Sequence, residues 1–308
     1  MALLFLSADD PPEAWRAALR AAIPDLDFRI WPEVGDRAEI DVALVWQPPP
    51  GELARYPNLR AILSLGAGID GLLAQPGLPD VPIARMVDPS LTRTMTEYVL
   101  LATLRHHRQF DHFEREQRAV RWSYTFPPQA ADRRVGVMGL GVLGSAAATH
   151  LAAHGFAVAG WSRQARRLAG VDSFAGRDGL AAFLGRTDIL VCLLPLTLDT
   201  AAILNAATFA GLPRGAYVIN VARGAHLVEA DLIAALDSGQ LAGATLDVLG
   251  EEPLPPENPL WRHRKVLITP HVASYASPQT AAEGVAENIR RARAGRALLH
   301  QVDRGRGY

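Results

Sequence analysis

Short apolar runs alternate along this chain with segments whose apolar residues recur at helical spacing, and the alternation continues from end to end. That order of elements predicts an α/β fold with parallel sheets, because two parallel strands need a crossover, usually helical, between them. Runs near Leu3–Leu6, Leu26–Ile30, Val42–Trp46 and Ala61–Leu65 read as early strands. Pro12–Ile23 reads as a helix, with prolines at its start where a missing N–H costs least. Thr92 to about Arg118 reads as one long helix, apolar in EYVLLATL and polar in RHHRQFDHFEREQR. WSYTFPPQAADR then has the prolines and polarity of a connector.

A second series begins with the strand RRVGVMG, a glycine turn and the helix VLGSAAATHLAAHG, with Gly155 at the C-cap position. Further strands read as AVAGW, DILVCLLP, AYVIN, GATLDV and KVLITP, with the helix ADLIAALDSG ending at Gly239. A last helix runs from Pro278 to about Gly295. This order predicts two Rossmann-like or flavodoxin-like parallel-sheet domains, the first of them discontinuous. Residues 1–99 and 271–308 would form one domain and residues 100–270 the other.

Composition narrows the classes. A formal net charge of −1 argues against a nucleic-acid or anionic-membrane surface, which would need a basic excess. No apolar run reaches the length of a membrane span, and the N-terminus meets acidic residues too soon for a signal peptide, so it reads as a first strand. The one cysteine, Cys192, sits in the apolar run ILVCLLP and reads as a small buried hydrophobe. A reducing, cytoplasmic setting follows as an expectation, and no metal site is assigned. Lys265 is the only lysine, so anions would be met by guanidinium groups.

The sharpest local signal is GLGVLG at Gly139, Leu140, Gly141, Val142, Leu143 and Gly144. The G-x-G-x-x-G pattern alone is weak, but here it follows a strand and opens a helix, as a dinucleotide site requires. Gly139 would allow the turn, Gly141 the approach of a pyrophosphate, and Gly144 close helix–strand packing. The helix N-terminus would supply N–H donors and a positive dipole end. The next strand ends without an Asp or Glu to hold the adenosine ribose; Trp161, Ser162, Arg163, Arg166 and Arg167 stand there instead. Hydroxyl and guanidinium groups suit a 2′-phosphate, so NADP is expected rather than NAD. LLPLTLDT, with Leu194, Pro195 and Thr200, could pack against the adenosine, although a plain strand–helix loop would read nearly the same. Val221, Ala222 and Asp247 are further candidate cofactor contacts.

Three chemistry-bearing residues stand in loops after strands: Arg223 in NVARG, Glu252 in EEPLP and His271 in TPHVAS. Each alone has a bland reading as a solvated charge or a structural histidine. Together, downstream of a dinucleotide turn, they match the needs of 2-oxo acid reduction. A guanidinium binds the carboxylate and polarises the ketone. An imidazolium donates a proton, and a carboxylate orients it.

NVARG, LDV…EEPLPPENPLW and ITPHVAS resemble the D-isomer-specific 2-hydroxyacid dehydrogenase family over nearly the whole chain. LVWQPP, LSLGAGID, WSR and the terminal QVDRGRGY resemble more closely its bacterial, NADPH-preferring branch that reduces glyoxylate and hydroxypyruvate. The resemblance implies that Arg223 binds substrate, Glu252 supports the acid and His271 donates the proton. It also implies that the loop Leu65, Gly66, Ala67 and Gly68 offers backbone N–H groups to the carboxylate. A homodimer formed largely through the cofactor domains is implied as well. Trp46, Met95 and Tyr275 are candidate pocket side chains, with a core position the better reading for Met95. A related substrate such as D-lactate, or a dinucleotide-sensing interaction protein of the same fold, remains open.

Overall fold

The computed structural model describes residues 1–307; the last residue of the QVDRGRGY motif, Tyr308, lies outside the described residues. The chain divides into two compact units, one comprising Met1–Leu91 with the segment from Tyr275 onward, the other Thr92–Ser274. The first division thus precedes residue 100. It falls there because Asp88 and Ser90 bond to the C-terminal segment: Thr280 Oγ1 donates to Asp88 at 3.0 Å, and the Ser277 N–H donates to Ser90 Oγ at 2.9 Å.

The first unit opens with β1 (Ala2–Leu6), α1 (Pro12–Ala22), β2 (Phe28–Ile30), β3 (Ile40–Val45), β4 (Ala61–Ser64), the single turn α2 (Asp70–Leu73) and β5 (Ile83–Ala84). Its sheet is wholly parallel in the order β2-β1-β3-β4-β5, the flavodoxin-like arrangement. β1, β3 and β4 are buried along their entire length. That explains why they read as continuous apolar runs rather than as alternation. β2 is shorter than expected, because the N–H of Leu26 bonds to the Ile23 carbonyl and closes the turn after α1.

α3 (Pro89–His107) begins in the first unit and continues from Thr92 in the second, which follows with α4 (Phe110–Arg118), β6 (Arg134–Met138), α5 (Val142–Ala153), β7 (Ala157–Ser162), β8 (Val171–Ala175), α6 (Gly176–Gly185), β9 (Ile189–Cys192), α7 (Ala206–Gly211), β10 (Ala216–Asn220), α8 (Glu229–Asp237), β11 (Leu241–Leu246) and β12 (Val266–Ile268). α9 (Pro278–Arg293) returns to the first unit and packs on α1. The second sheet is parallel in the order β12-β11-β10-β9-β6-β7-β8. The direction of winding reverses between β6 and β9, the switch point at which such sheets bind ligands beyond their carboxyl ends. Neighbouring residues of one strand feed opposite core layers: Met138, Leu190 and Val218 one, Val137, Val191 and Ile219 the other.

Two local expectations are corrected. The long helix after Thr92 is two helices, broken where Gln109 adopts a left-handed backbone with φ +59°. β8 and α6 were not expected; β8 is a half-exposed edge strand lacking a run of apolar residues. Cys192 is fully buried, and burial pushes its thiol up to about 12, so it is an inert core residue. Among the described residues no helix is long and apolar enough to cross a membrane.

Candidate active site

The glycine turn joins β6 to α5. Gly139 has φ +97°, a conformation natural to glycine. A Cβ on Gly144 would overlap the Gly139 carbonyl oxygen, so the first turn of α5 closes onto the strand end only with glycine there. A Cβ on Gly141 would meet nothing within 4 Å. The space over the N-terminus of the twelve-residue α5 is therefore open, and a pyrophosphate can approach its backbone. The turn fits a dinucleotide. Leu140 is core: its side chain is buried and packs where a Cβ on Gly160 would stand.

β7 runs through Ser162, one residue further than expected, and Trp161 Nε1 donates to the Gly176 carbonyl at 2.8 Å. Arg163, Arg166 and Arg167 are exposed on the loop beyond, with no acid at the strand end. The Ser162 hydroxyl donates to the Gln164 carbonyl at 2.7 Å, which fixes the start of that loop. In the loop after β9, Thr200 Oγ1 donates to the Pro195 carbonyl at 2.7 Å and accepts the Thr197 N–H at 2.8 Å. Its hydroxyl thus shapes the turn. Leu194, Val221 and Ala222 are buried, leaving backbone rather than side chain to offer a ligand.

Arg223 follows β10. Asn220 holds its loop by donating from Nδ2 to the Arg223 carbonyl at 3.0 Å and accepting the Ala222 N–H at 3.2 Å. Buried His226 accepts the Arg223 N–H at Nδ1 over 3.2 Å and approaches the Pro195 carbonyl with Nε2 at 3.3 Å. That pairing corresponds to a neutral ring with its proton on Nε2. It ties the loops after β9 and β10 together. A Cβ on Gly224 would overlap the Leu249 carbonyl group, so glycine lets the 249–252 backbone come against the Arg223 loop.

That approach delivers Glu252. Its Oε1 accepts the Leu249 N–H at 2.9 Å, and its Oε2 lies 2.8 Å from His271 Nδ1. Burial alone would raise the Glu252 pKa. The His271 contact, the Leu249 N–H and nearby Arg223 outweigh burial and hold it below the usual carboxylate range. Glu252 is an anion at neutral pH, facing one ring nitrogen of His271.

His271 sits in a left-handed backbone conformation with φ +56°. Asp247 imposes it. The His271 N–H donates to the Asp247 carbonyl at 2.8 Å. The buried Asp247 carboxylate accepts Thr269 Oγ1 at 2.6 Å and the N–H groups of Val272 and Ala273 at 2.9 Å each. Tyr98 Oη stands 2.6 Å from Thr269 Oγ1 and extends the network to α3. Asp247, expected as a cofactor contact, has a carboxylate that builds the turn carrying His271. Sequence reasoning missed Tyr98, Thr269, Asn220 and His226. The available signal was Asn220, the polar residue closing the apolar strand AYVIN.

In the first unit, the N–H groups of Leu65 and Gly66 are already committed, to the Val45 carbonyl and to Ser64 Oγ at 3.1 Å. Of the four loop N–H groups, those of Ala67 and Gly68 have no acceptor among the described residues. The Trp46 ring lies against Gly66, where a Cβ would overlap it. Met95 is in the core of the second unit, and Tyr275 is exposed.

Residues 100–273 match the D-isomer specific 2-hydroxyacid dehydrogenase NAD binding domain. The chain is 43% identical to glyoxylate/hydroxypyruvate reductase A of Yersinia enterocolitica over the full length of both. Among solved structures it resembles a D-isomer specific 2-hydroxyacid dehydrogenase from Xanthobacter autotrophicus Py2 in complex with NADPH and MES, with TM-score 0.96, 52% identity and coverage of 100% and 99% of the two chains. It also resembles the NADPH-dependent glyoxylate/hydroxypyruvate reductase of Sinorhizobium meliloti in complex with NADP and sulfate, with TM-score 0.93, 44% identity and full coverage of both. The two parallel sheets, the glycine turn and these full-length likenesses together make the chain a member of the D-isomer specific 2-hydroxyacid dehydrogenase family.

Proposed function

We propose that this chain reduces glyoxylate or hydroxypyruvate to glycolate or D-glycerate, with NADPH as the preferred reductant. The observation that carries the chemistry is the contact of 2.8 Å between His271 Nδ1 and Glu252, with Arg223 near enough to act on the same carboxylate. The names and bound cofactors of the full-length relatives support the substrate and the cofactor.

When bound, reduced nicotinamide supplies a hydride to the ketone carbon. Arg223 binds the substrate carboxylate and draws electron density toward the ketone oxygen. Glu252 occupies the Nδ1 side of His271, so the transferable proton is on Nε2, and His271 donates it to the developing alkoxide. Asp247 holds the turn in which the ring is presented. The N–H groups of Ala67 and Gly68 are the proposed backbone donors to the carboxylate, and Trp46 is the proposed wall beside them.

The same proposal includes a homodimer in a cytoplasmic setting, where NADPH is kept reduced. Phe110, Phe113, Val120, Trp122, Tyr124 and Phe126 are all exposed within one stretch of the cofactor-binding unit. So dense an apolar surface fits burial against a second copy. The deciding test is NADPH and NADH oxidation with a panel of 2-oxo acids. Turnover highest with glyoxylate or hydroxypyruvate and NADPH supports the reading. Cofactor binding without turnover on any acid would favour a dinucleotide-sensing role.

A further inference from the structure

The first unit contains a recess whose wall includes Ser64 and Met86, the residues that hydrogen-bond to Gly66. It has a volume of about 60 Å³, is open to solvent, and is walled by β5, α9 and the segment around His300. None of its lining residues is acidic. Arg85 lines it, half-buried, and its guanidinium has neither a carboxylate nor any hydrogen-bond acceptor among the described residues. His300 joins it at the rim, also without an acid.

Burying part of a guanidinium without a counter-charge is costly, and chains ordinarily pair such groups. Asp88 accepts Ser90 and Thr280, and Glu287 pairs with Arg291 at 2.8 Å; neither pairs with Arg85. Desolvation lowers the Arg85 pKa, and proximity to Arg85 adds to burial in lowering that of His300. Both directions describe positive groups lacking an anion. The backbone also holds His300 in place: its φ is +53°, and its carbonyl accepts the Arg85 N–H at 3.2 Å.

An independent feature marks the mouth. Gly284 lies in the interior of α9, where glycine destabilises a helix relative to alanine. Neither a positive φ nor close packing demands it, because a Cβ there would meet nothing within 4 Å. Its effect is to leave the recess open.

We infer that this recess is a binding site for a small oxyanion, held by the Arg85 guanidinium with His300 at the rim. A guanidinium fork accepts phosphate or carboxylate with two parallel hydrogen bonds. The Ser64 hydroxyl, which accepts the Gly66 N–H, retains its own proton to donate.

The test is calorimetric titration of the full chain with inorganic phosphate and, separately, with acetate, at ionic strength fixed with chloride. It is run on wild type, Arg85→Gln, Gly284→Leu and, as a control for the exposed arginine loop, Arg163→Ala. Gly284→Leu puts a side chain at the mouth, where a Cβ meets nothing within 4 Å, and favours the helix; its thermal unfolding confirms that the variant is folded. Saturable binding of either anion, weakened at least tenfold in both Arg85→Gln and Gly284→Leu and retained in Arg163→Ala, supports the site. The anion that saturates identifies its chemistry. No saturable binding of either anion overturns the inference, as does wild-type binding in Arg85→Gln or in Gly284→Leu, or loss of binding in Arg163→Ala.

Discussion

His106 should make the fold lose stability on mild acidification. The ring stacks on Tyr217 with centroids 4.1 Å apart, and its Nδ1 is buried with no hydrogen-bond partner among the described residues. Burial, then the charge of Arg133, lowers its pKa from 6.5 to about 4; Asp111 opposes this and His107 adds to it. A histidine depressed in the fold stays neutral there while the unfolded chain takes up a proton. Stability is therefore full above pH 6.5 and is lost as pH falls toward 4. Across that whole window the loss is about 3 kcal/mol, at about 1.4 kcal/mol per tenfold change in proton activity. Between pH 7 and pH 5 it is about 2 kcal/mol, or about 3 °C in Tm for a chain of 308 residues. Carboxylates with lowered pKa values, Glu252 among them, titrate below this interval and leave it to the histidines. His106→Phe keeps the stacking and forfeits no hydrogen bond. It should match or exceed wild-type Tm at pH 7 and lose several degrees less on going to pH 5. Thermal unfolding followed by circular dichroism at the two pH values, at fixed ionic strength, measures this. An equal fall in Tm for wild type and His106→Phe would refute the reasoning.

Four further outcomes follow from the site and the surface. His271→Asn should lower kcat by about two orders of magnitude or more through loss of the general acid, while fluorescence titration shows NADPH still bound. Arg223→Lys keeps a charge but loses the fork, so KM for the oxo acid should rise and kcat fall; a change in Tm alone would remove Arg223 from substrate binding. Wild type should prefer NADPH over NADH by about tenfold to a thousandfold in kcat/KM, and Ser162→Asp with Arg163→Ala should shift that preference toward NADH. Light scattering should find a dimer, and Trp122→Ser with Phe126→Ser should yield monomer; an unchanged mass would exclude this stretch from the interface.

Strand positions were legible because both faces of each sheet are covered, so runs such as ILVC and AYVIN are apolar at every residue and bounded by turn residues. The glycine turn was legible because backbone contact, not a side chain, dictates Gly139 and Gly144. β8 was not, since an edge strand with half-exposed residues carries little apolar signal. The break at Gln109 was hidden because no proline or glycine marks it. At the site, Arg223, Glu252 and His271 stood out as charged residues following apolar strands. The hold of Asp247 on the His271 turn did not, because the N–H group it accepts from Val272 lies 25 residues away in sequence.

The left-handed backbone at His271 sets fold and chemistry in opposition. A side chain there forgoes about 1 kcal/mol that glycine would recover. Selection for thermal robustness alone would drift toward glycine at this position and discard the proposed proton donor. Consensus-guided stabilisation of this chain should therefore exempt residue 271, whatever gain a substitution there promises on heating.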